Sequence, residues 1–293
     1  MAAHRSPEII DVFEEKAILG EGPVWSAGDS VLWWVDPRSP SINCLNPQTG
    51  KNRPWTMPDW IGSVAPARSG LICATRTGFA RFEPRSGKLT KIVDVLSAPD
   101  LRLNDGKCDP QGRFWAGSLD GMREGPNGRL FRLDEALTVD EQPFGYTVYN
   151  GTAWNVEGTF MYTADSWRRQ IYRHAFDGER GQVSAPENFA TIDDASGVPD
   201  GAAIDAEDHL WSVHFDGWRI TRYTPSGRVD RVIHLPVQRP TSCAFGGDKL
   251  DTLFVTSARV RLTDRELREQ PLAGAVFALD VGISGHPVQP FAG

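Results

Sequence analysis

Short apolar runs recur along the chain, separated by polar turns that contain Gly, Pro or Asp. One unit repeats: a polar turn, then an apolar strand holding Trp or another aromatic. In order it reads S-A-G-D-S-V-L-W-W-V-D from Ser26, A-R-S-G-L-I-C-A-T from Ala67 and D-P-Q-G-R-F-W-A-G-S from Asp109. It continues as N-V-E-G-T-F-M-Y-T-A-D from Asn155, D-A-E-D-H-L-W-S-V from Asp205 and G-G-D-K-L-D-T-L-F-V-T-S from Gly246. The starts are 41, 42, 46, 50 and 41 residues apart, matching the roughly 40–50 residues of a four-stranded propeller blade. Helical repeats of that length need apolar residues at i, i+3, i+4 and i+7, which these segments lack. Second hairpins follow many units, for example F-A-R-F-E-P-R-S-G-K and R-I-T-R-Y-T-P-S-G-R, each closing on a Gly turn. The pattern predicts an all-β, six-bladed β-propeller with four antiparallel strands per blade. No linker divides it, so residues 1–293 are expected to form one domain. A strand around Ile9 to Phe13 is expected to pair into the last blade and close the ring.

The repeat also points to a site. Glu21 lies 12 residues before Trp33, Asn104 lies 11 before Trp115, Asn150 lies 12 before Tyr162 and Asp200 lies 11 before Trp211. Equivalent positions in a propeller surround the central axis, so these four distant residues should converge at one mouth of the channel. Singly, each could belong to an ordinary turn, because Asn-Gly and Asp-Gly favour positive φ. Turn chemistry does not explain why the same repeat position is polar in four blades. Two carboxylates and two amides on one axis make an oxygen cage suited to a divalent cation.

Composition narrows the function. The 293-residue chain has a formal net charge of −7 and no Lys or Arg run, which argues against a nucleic-acid partner. No window approaches the roughly 18 uninterrupted apolar residues of a membrane span, and the N-terminal residues lack a signal peptide's apolar stretch. The four cysteines, Cys44, Cys73, Cys108 and Cys243, are scattered without C-x-x-C, so a reducing cytoplasmic location is expected. Nucleophile elbows, phosphate loops and H-E-x-x-H are absent. Of the six histidines, only His214 stands where it could reach a pocket. Trp60 could line one, although a core role is the simpler expectation.

The sequence resembles the regucalcin and gluconolactonase family, the senescence-marker-protein group. The resemblance rests on L-G-E-G-P-V-W (19–25), R-L-N-D-G-K-C-D-P-Q-G-R-F-W-A-G-S (102–118), N-G-T-A-W (150–154), V-P-D-G-A-A-I-D (198–205) and R-P-T-S-C-A-F-G-G-D-K-L-D-T-L-F-V-T-S-A-R (239–259). Carried over position by position, it implies metal ligands at Glu21, Asn150 and Asp200, with Asp200 also the base. It places Arg102 and Asn104 on substrate, and Asp120 is the stand-in for the family's acidic substrate contact. The implied cofactor is one divalent cation, calcium first, with zinc, manganese, magnesium or iron(II) able to occupy such a site. The implied reaction opens a small sugar lactone to its aldonic acid. Rival readings are an aryl-ester or organophosphate hydrolase on the same scaffold, and a calcium-binding propeller without turnover.

Overall fold

The computed structural model describes residues 8–293 and contains six twisted sheets arranged as blades around an axis. Blade 1 comprises strands Glu21–Ser26, Val31–Asp36, Ser41–Asn46 and Lys51–Thr56, hydrogen-bonded in that order from axis to rim. Blade 2 runs from Ile61–Pro66 to Lys88–Asp94, blade 3 from Leu101–Cys108 to Val139–Tyr146, and blade 5 from Val198–Ile204 to Val229–His234. Blade 4 starts at Tyr149–Trp154, and its outer edge is split into Gln182–Val183 and Glu187–Thr191, both paired with Gln170–Asp177. Blade 6 takes three strands from the C-terminal part, Pro240–Gly246, Thr252–Ser257 and Val276–Asp280. Its fourth is Glu8–Phe13, paired antiparallel to Val276–Asp280. The last blade is thus built from both ends of the chain, and opening the ring requires breaking a sheet.

Each inner strand touches its neighbours on either side around the axis. The core fills the wedges between blades: Trp33, Ile42 and Phe82 between blades 1 and 2, Phe79 and Phe114 between blades 2 and 3, Trp211 and Phe245 between blades 5 and 6. The repeated aromatic is therefore an inter-blade packing residue, and burying such side chains supplies most of the driving force.

Polar groups at the repeat turns are satisfied in a matching way. In blade 3, Asp109 Oδ2 accepts from Trp115 Nε1 at 2.9 Å and from Arg113 Nε at 2.6 Å, while Oδ1 accepts from the Gln111 and Arg113 backbone N–H groups. In blade 5, Asp205 Oδ2 accepts from Trp211 Nε1 and Arg222 Nε, both at 2.8 Å, and Oδ1 takes the Glu207 and His209 N–H groups. Arg222, 2% exposed, is completed by Asp230 and Glu207 at 2.7 Å each. The turn Asp thus pins the hairpin and the core Trp together. Two short elements depart from the strand pattern among the described residues: a single 3-10 turn, Asp194–Ser196, before blade 5, and a helix, Asp264–Glu269, between two strands of blade 6. The T-D-R-E start of the helix forms a capping box in which Thr263 and Glu266 satisfy each other's backbone N–H.

Asp205→Ala would leave the Trp211 indole N–H and one face of a buried guanidinium unpaired. We expect a loss of about 3 kcal/mol, read as a lower urea midpoint with unchanged slope, against a near-neutral result for the exposed control Asp248→Ala.

Candidate metal and active site

All six inner strands carry a register shift against the second strand of their blade at the same level. It falls between Glu21 and Val24, Ile61 and Ser63, Leu103 and Gly106, Asn150 and Ala153, Pro199 and Ala202, and Pro240 and Cys243. A bulge leaves extra residues out of the ladder and re-aims their side chains. Here that puts Glu21, Asn104, Asp105, Asn150 and Asp200 at or beside the bulge, on strands that surround one axis. The remaining blades contribute Gly62 and the Thr241-Ser242 pair. Gly62 cannot be replaced without a clash, since a Cβ there would stand 2.4 Å from the Asn104 carbonyl oxygen. A Cβ on Gly201 would meet Ser242 Oγ at 1.9 Å. Gly22 and Gly151 have φ of +52° and +67°, the left-handed region that glycine tolerates. The glycine after each polar residue lets the bulge form.

Hydrogen bonds lock the cluster. Asn104 Nδ2 donates to Asn150 Oδ1 at 2.8 Å and to the Tyr149 carbonyl at 2.9 Å. Asn150 Nδ2 donates to Ser166 Oγ at 2.8 Å, and Ser166 in turn donates to the Pro199 carbonyl at 2.6 Å. Both hydrogens of the Asn104 amide are thereby committed, which leaves its oxygen as an acceptor. Asp105 accepts from the Gly106 N–H and, through its other oxygen, from the Thr152 N–H and hydroxyl. Asp200 Oδ1 is buried and has no hydrogen-bond partner.

The electrostatics are one-sided. Burial first, then the charges of Asp200 and Asp105, push the Glu21 carboxyl well above the usual carboxylate range. Burial and Asp105 do the same to Asp200. Among the described residues no Lys, Arg or His forms an ion pair with Glu21, Asp105 or Asp200. Lys107 is buried, donates to the Ala202 carbonyl at 2.7 Å and feels the charge of Asp105, although burial holds its amine below the ordinary range. No three His, Cys, Asp or Glu among the described residues form a metal-holding group by themselves. A cation here would draw on Glu21, Asp200 and the amide oxygen of Asn150. These are hard donors, and the orphaned Asp200 oxygen is the kind of group a hard dication satisfies.

The other expected residues sit around this cluster. Arg102 lies at the rim with its guanidinium 4.4 Å from the Trp60 ring centre and its Nε buried without an acceptor. Trp60 donates to the Leu103 carbonyl at 2.9 Å and is nearly buried, so it ties blade 2 to blade 3 and seats Arg102. Asp120 is turned towards its own loop. Its oxygens accept from the Met122 N–H and from Asn127 Nδ2, both at 2.9 Å. Burial raises its carboxyl, but these bonds and others from Arg123 and Glu124 outweigh it and hold the group below its usual range. Asp36 and Asp165 end the second strands of blades 1 and 4 as Asp120 ends that of blade 3, and both likewise bind loop N–H groups. Asp120 is therefore equivalent to two loop anchors. His214 pairs across from Pro199, donates through Nδ1 to the Ser196 carbonyl at 2.8 Å and keeps a buried, unpartnered Nε2; burial lowers it to about 4.

A cavity of about 650 Å³ opens at the opposite mouth, lined by Trp25, Lys107, Trp154, Phe245 and His286. It lacks the converging carboxylates. The C-terminal segment crosses it, bridging blade 5 at Asp205–Gly285 and blade 2 at Ala67–Phe291.

Comparison with known proteins places the chain in a family. The family described as SMP-30/gluconolactonase/LRE-like matches residues 19–259. The chain belongs to this family. It is 35% identical to a 6-deoxy-6-sulfogluconolactonase of Pseudomonas putida over 96% of this chain and 98% of that protein. It is 34% identical to an L-arabinolactonase of Azospirillum brasilense over 94% and 92% of the two chains. Its fold matches that of a regucalcin from Agrobacterium tumefaciens with a TM-score of 0.91 at 24% identity, over 98% of this chain and 97% of the other. The family's lactonases are thus near full-length relatives, and the fold expected from the repeat is the fold observed.

A carboxyl whose folded-state value is raised stabilises the fold most at low pH and loses that contribution as pH rises through the raised value. With cations chelated, Asp200→Asn should therefore become more stable than the unsubstituted protein as pH climbs above the ordinary carboxylate range, by about 1–3 kcal/mol at the alkaline end. Thermal unfolding against pH measures this. A constant difference across pH would mean that Asp200 is not held in a charge-averse site.

Proposed function

We propose that this protein hydrolyses a small sugar lactone to the aldonic acid, using a divalent cation held by Glu21, Asn150 and Asp200. The observation that carries the reading is the pair of buried, uncompensated carboxylates, Glu21 and Asp200, beside an Asn104–Asn150 amide pair. Lactonases among the family's members, acting by their names on gluconolactone and arabinolactone derivatives, support the substrate class. A cytoplasmic location goes with it: the four cysteines are free thiols, and no helix among the described residues is long and apolar enough to cross a membrane.

When bound, a hard dication supplies Lewis-acid polarisation of the lactone carbonyl. The chain's own groups do the rest. The Asp200 carboxylate, through the oxygen not turned to the cation, takes a proton from the attacking water as the new C–O bond forms, then returns it to the ring oxygen as the acyl–oxygen bond breaks. Asn104, fixed by its bonds to Tyr149 and Asn150, accepts a sugar hydroxyl through its free amide oxygen. Arg102, with an unspent N–H, donates to substrate oxygens. Asp120 acts indirectly, holding the 121–127 loop over the rim. Calcium is the expected ion; manganese, magnesium, zinc and iron(II) accept the same donors.

Turnover of aldonolactones should vanish on chelation and return with a single added cation. With the cation saturating, Asp200→Asn should lower turnover by about 10²–10⁴-fold while retaining measurable cation affinity by calorimetry, since an amide oxygen still coordinates. Near-native turnover in that variant would make Asp200 a ligand only and pass the base role elsewhere. Cation binding with no lactone opened would instead favour a binding propeller.

A further inference from the structure

Four arginines crowd one side of the same mouth. Arg38 and Arg76 follow the second strands of blades 1 and 2, Arg102 opens the inner strand of blade 3, and Arg123 stands in the loop after that blade's second strand. Those strand ends pair with the bulge ends of the inner strands, as in Glu21 with Val35 and Ile61 with Thr75, so all four share the level of the acid cluster. They feel one another. After burial, the charges of Arg38, Arg76 and Arg123 hold the Arg102 guanidinium down to about 10.

Each is seated without a counter-ion. Arg102 and Arg38 stand 4.4 and 5.9 Å from the centre of the Trp60 ring. Arg76 Nη2 donates to the Pro99 carbonyl at 3.2 Å, and Arg123 lies 4.6 Å from the exposed Trp167 ring. Among the described residues none of the four forms an ion pair. Neighbouring acids are spent elsewhere: Asp120 on its own loop and Asp59 on the Trp60 N–H. In a chain of net charge −7, four guanidiniums without ion pairs gathered on one rim make a site suited to an anion. Like charges repel, and only an anion placed among them reverses the sign.

We propose that the lactone opened by this protein carries an acidic substituent at its end remote from the lactone carbonyl, held by Arg38, Arg76, Arg102 and Arg123. The proposal rests on the lactonase reading. With the carbonyl at the acid cluster on the axis, the far end of a sugar reaches towards blades 1 to 3, where these arginines stand. A carboxylate, phosphate or sulfonate presents the oxygens that planar guanidinium forks match, and seating on Trp60, Pro99 and Trp167 limits the entropy lost on binding.

The test compares gluconolactone, its 6-phosphate and a glucarolactone as substrates of the cation-loaded protein, with spontaneous opening subtracted. In parallel, calorimetry compares binding of gluconate and 6-phosphogluconate. At least one charged lactone should exceed the neutral one in kcat/KM by about tenfold or more at low salt, and the advantage should shrink as salt rises. The phosphate and glucarate arms tell which acid is read. Arg76→Gln and Arg123→Gln should each cut the charged-to-neutral ratio by about tenfold in turnover and in binding. Equal efficiency on neutral and charged lactones, or a ratio unmoved by both substitutions, overturns the proposal and leaves the lactonase reading standing. If no lactone is opened, that reading fails; if 6-phosphogluconate then binds no better than gluconate, so does the arginine site.

Discussion

Two carboxylates, Glu21 and Asp200, are buried at one mouth of the channel beside a third, Asp105, and among the described residues none of the three is in an ion pair; Lys107 feels the charge of Asp105. Left alone, such a group is destabilising, because like charges in a poorly hydrated site resist ionisation and raise the proton affinity of each other. Fold and chemistry meet in this conflict. The ring keeps the acids together because blade 6 is sewn from both ends of the chain and because inter-blade packing holds the inner strands at fixed spacing. In the proposed reaction a dication replacing the protons would offset the cost of holding them, and the same field would make Asp200 a willing proton acceptor.

The device that brings the acids inward is local. A bulge at the same level in every inner strand, eased by Gly22, Gly106, Gly151 and Gly201, breaks the alternation that would hide these side chains between blades. Past the bulge of the blade 3 inner strand, Lys107 binds the Ala202 carbonyl and lines the cavity at the opposite mouth. One end of the propeller is thus polar and anionic at its centre with arginines on its rim. The other end is largely apolar and crossed by the C-terminal segment.

The ring was legible in the sequence because each blade repeats the same turn and the same inter-blade aromatic, and the N-terminal strand had no other partner. The register of Glu21, Asn104, Asn150 and Asp200 was legible for the same reason. Asp105 was not, because it stands one residue past that register and reads as part of an Asn-Asp-Gly turn; only the bulge shows that two successive residues turn towards the axis. Asp120 was expected on substrate, yet its equivalence to Asp36 and Asp165 at the ends of second strands was already in the repeat and points to loop anchoring. Of the arginine rim only Arg102 was legible, because the other three lie in separate connections between residues 38 and 123 and no sequence run unites them.

The proposed lactone chemistry hangs on a cation at Glu21, Asn150 and Asp200. The most direct measurement is an anomalous difference map from crystals of the protein grown with manganese. A single strong peak within coordinating distance of Glu21, Asn150 and Asp200, lost in Glu21→Gln crystals, is the predicted result. A protein whose lactonase activity needs the cation but whose only peak lies at the opposite mouth, or beside none of these oxygens, would contradict the account.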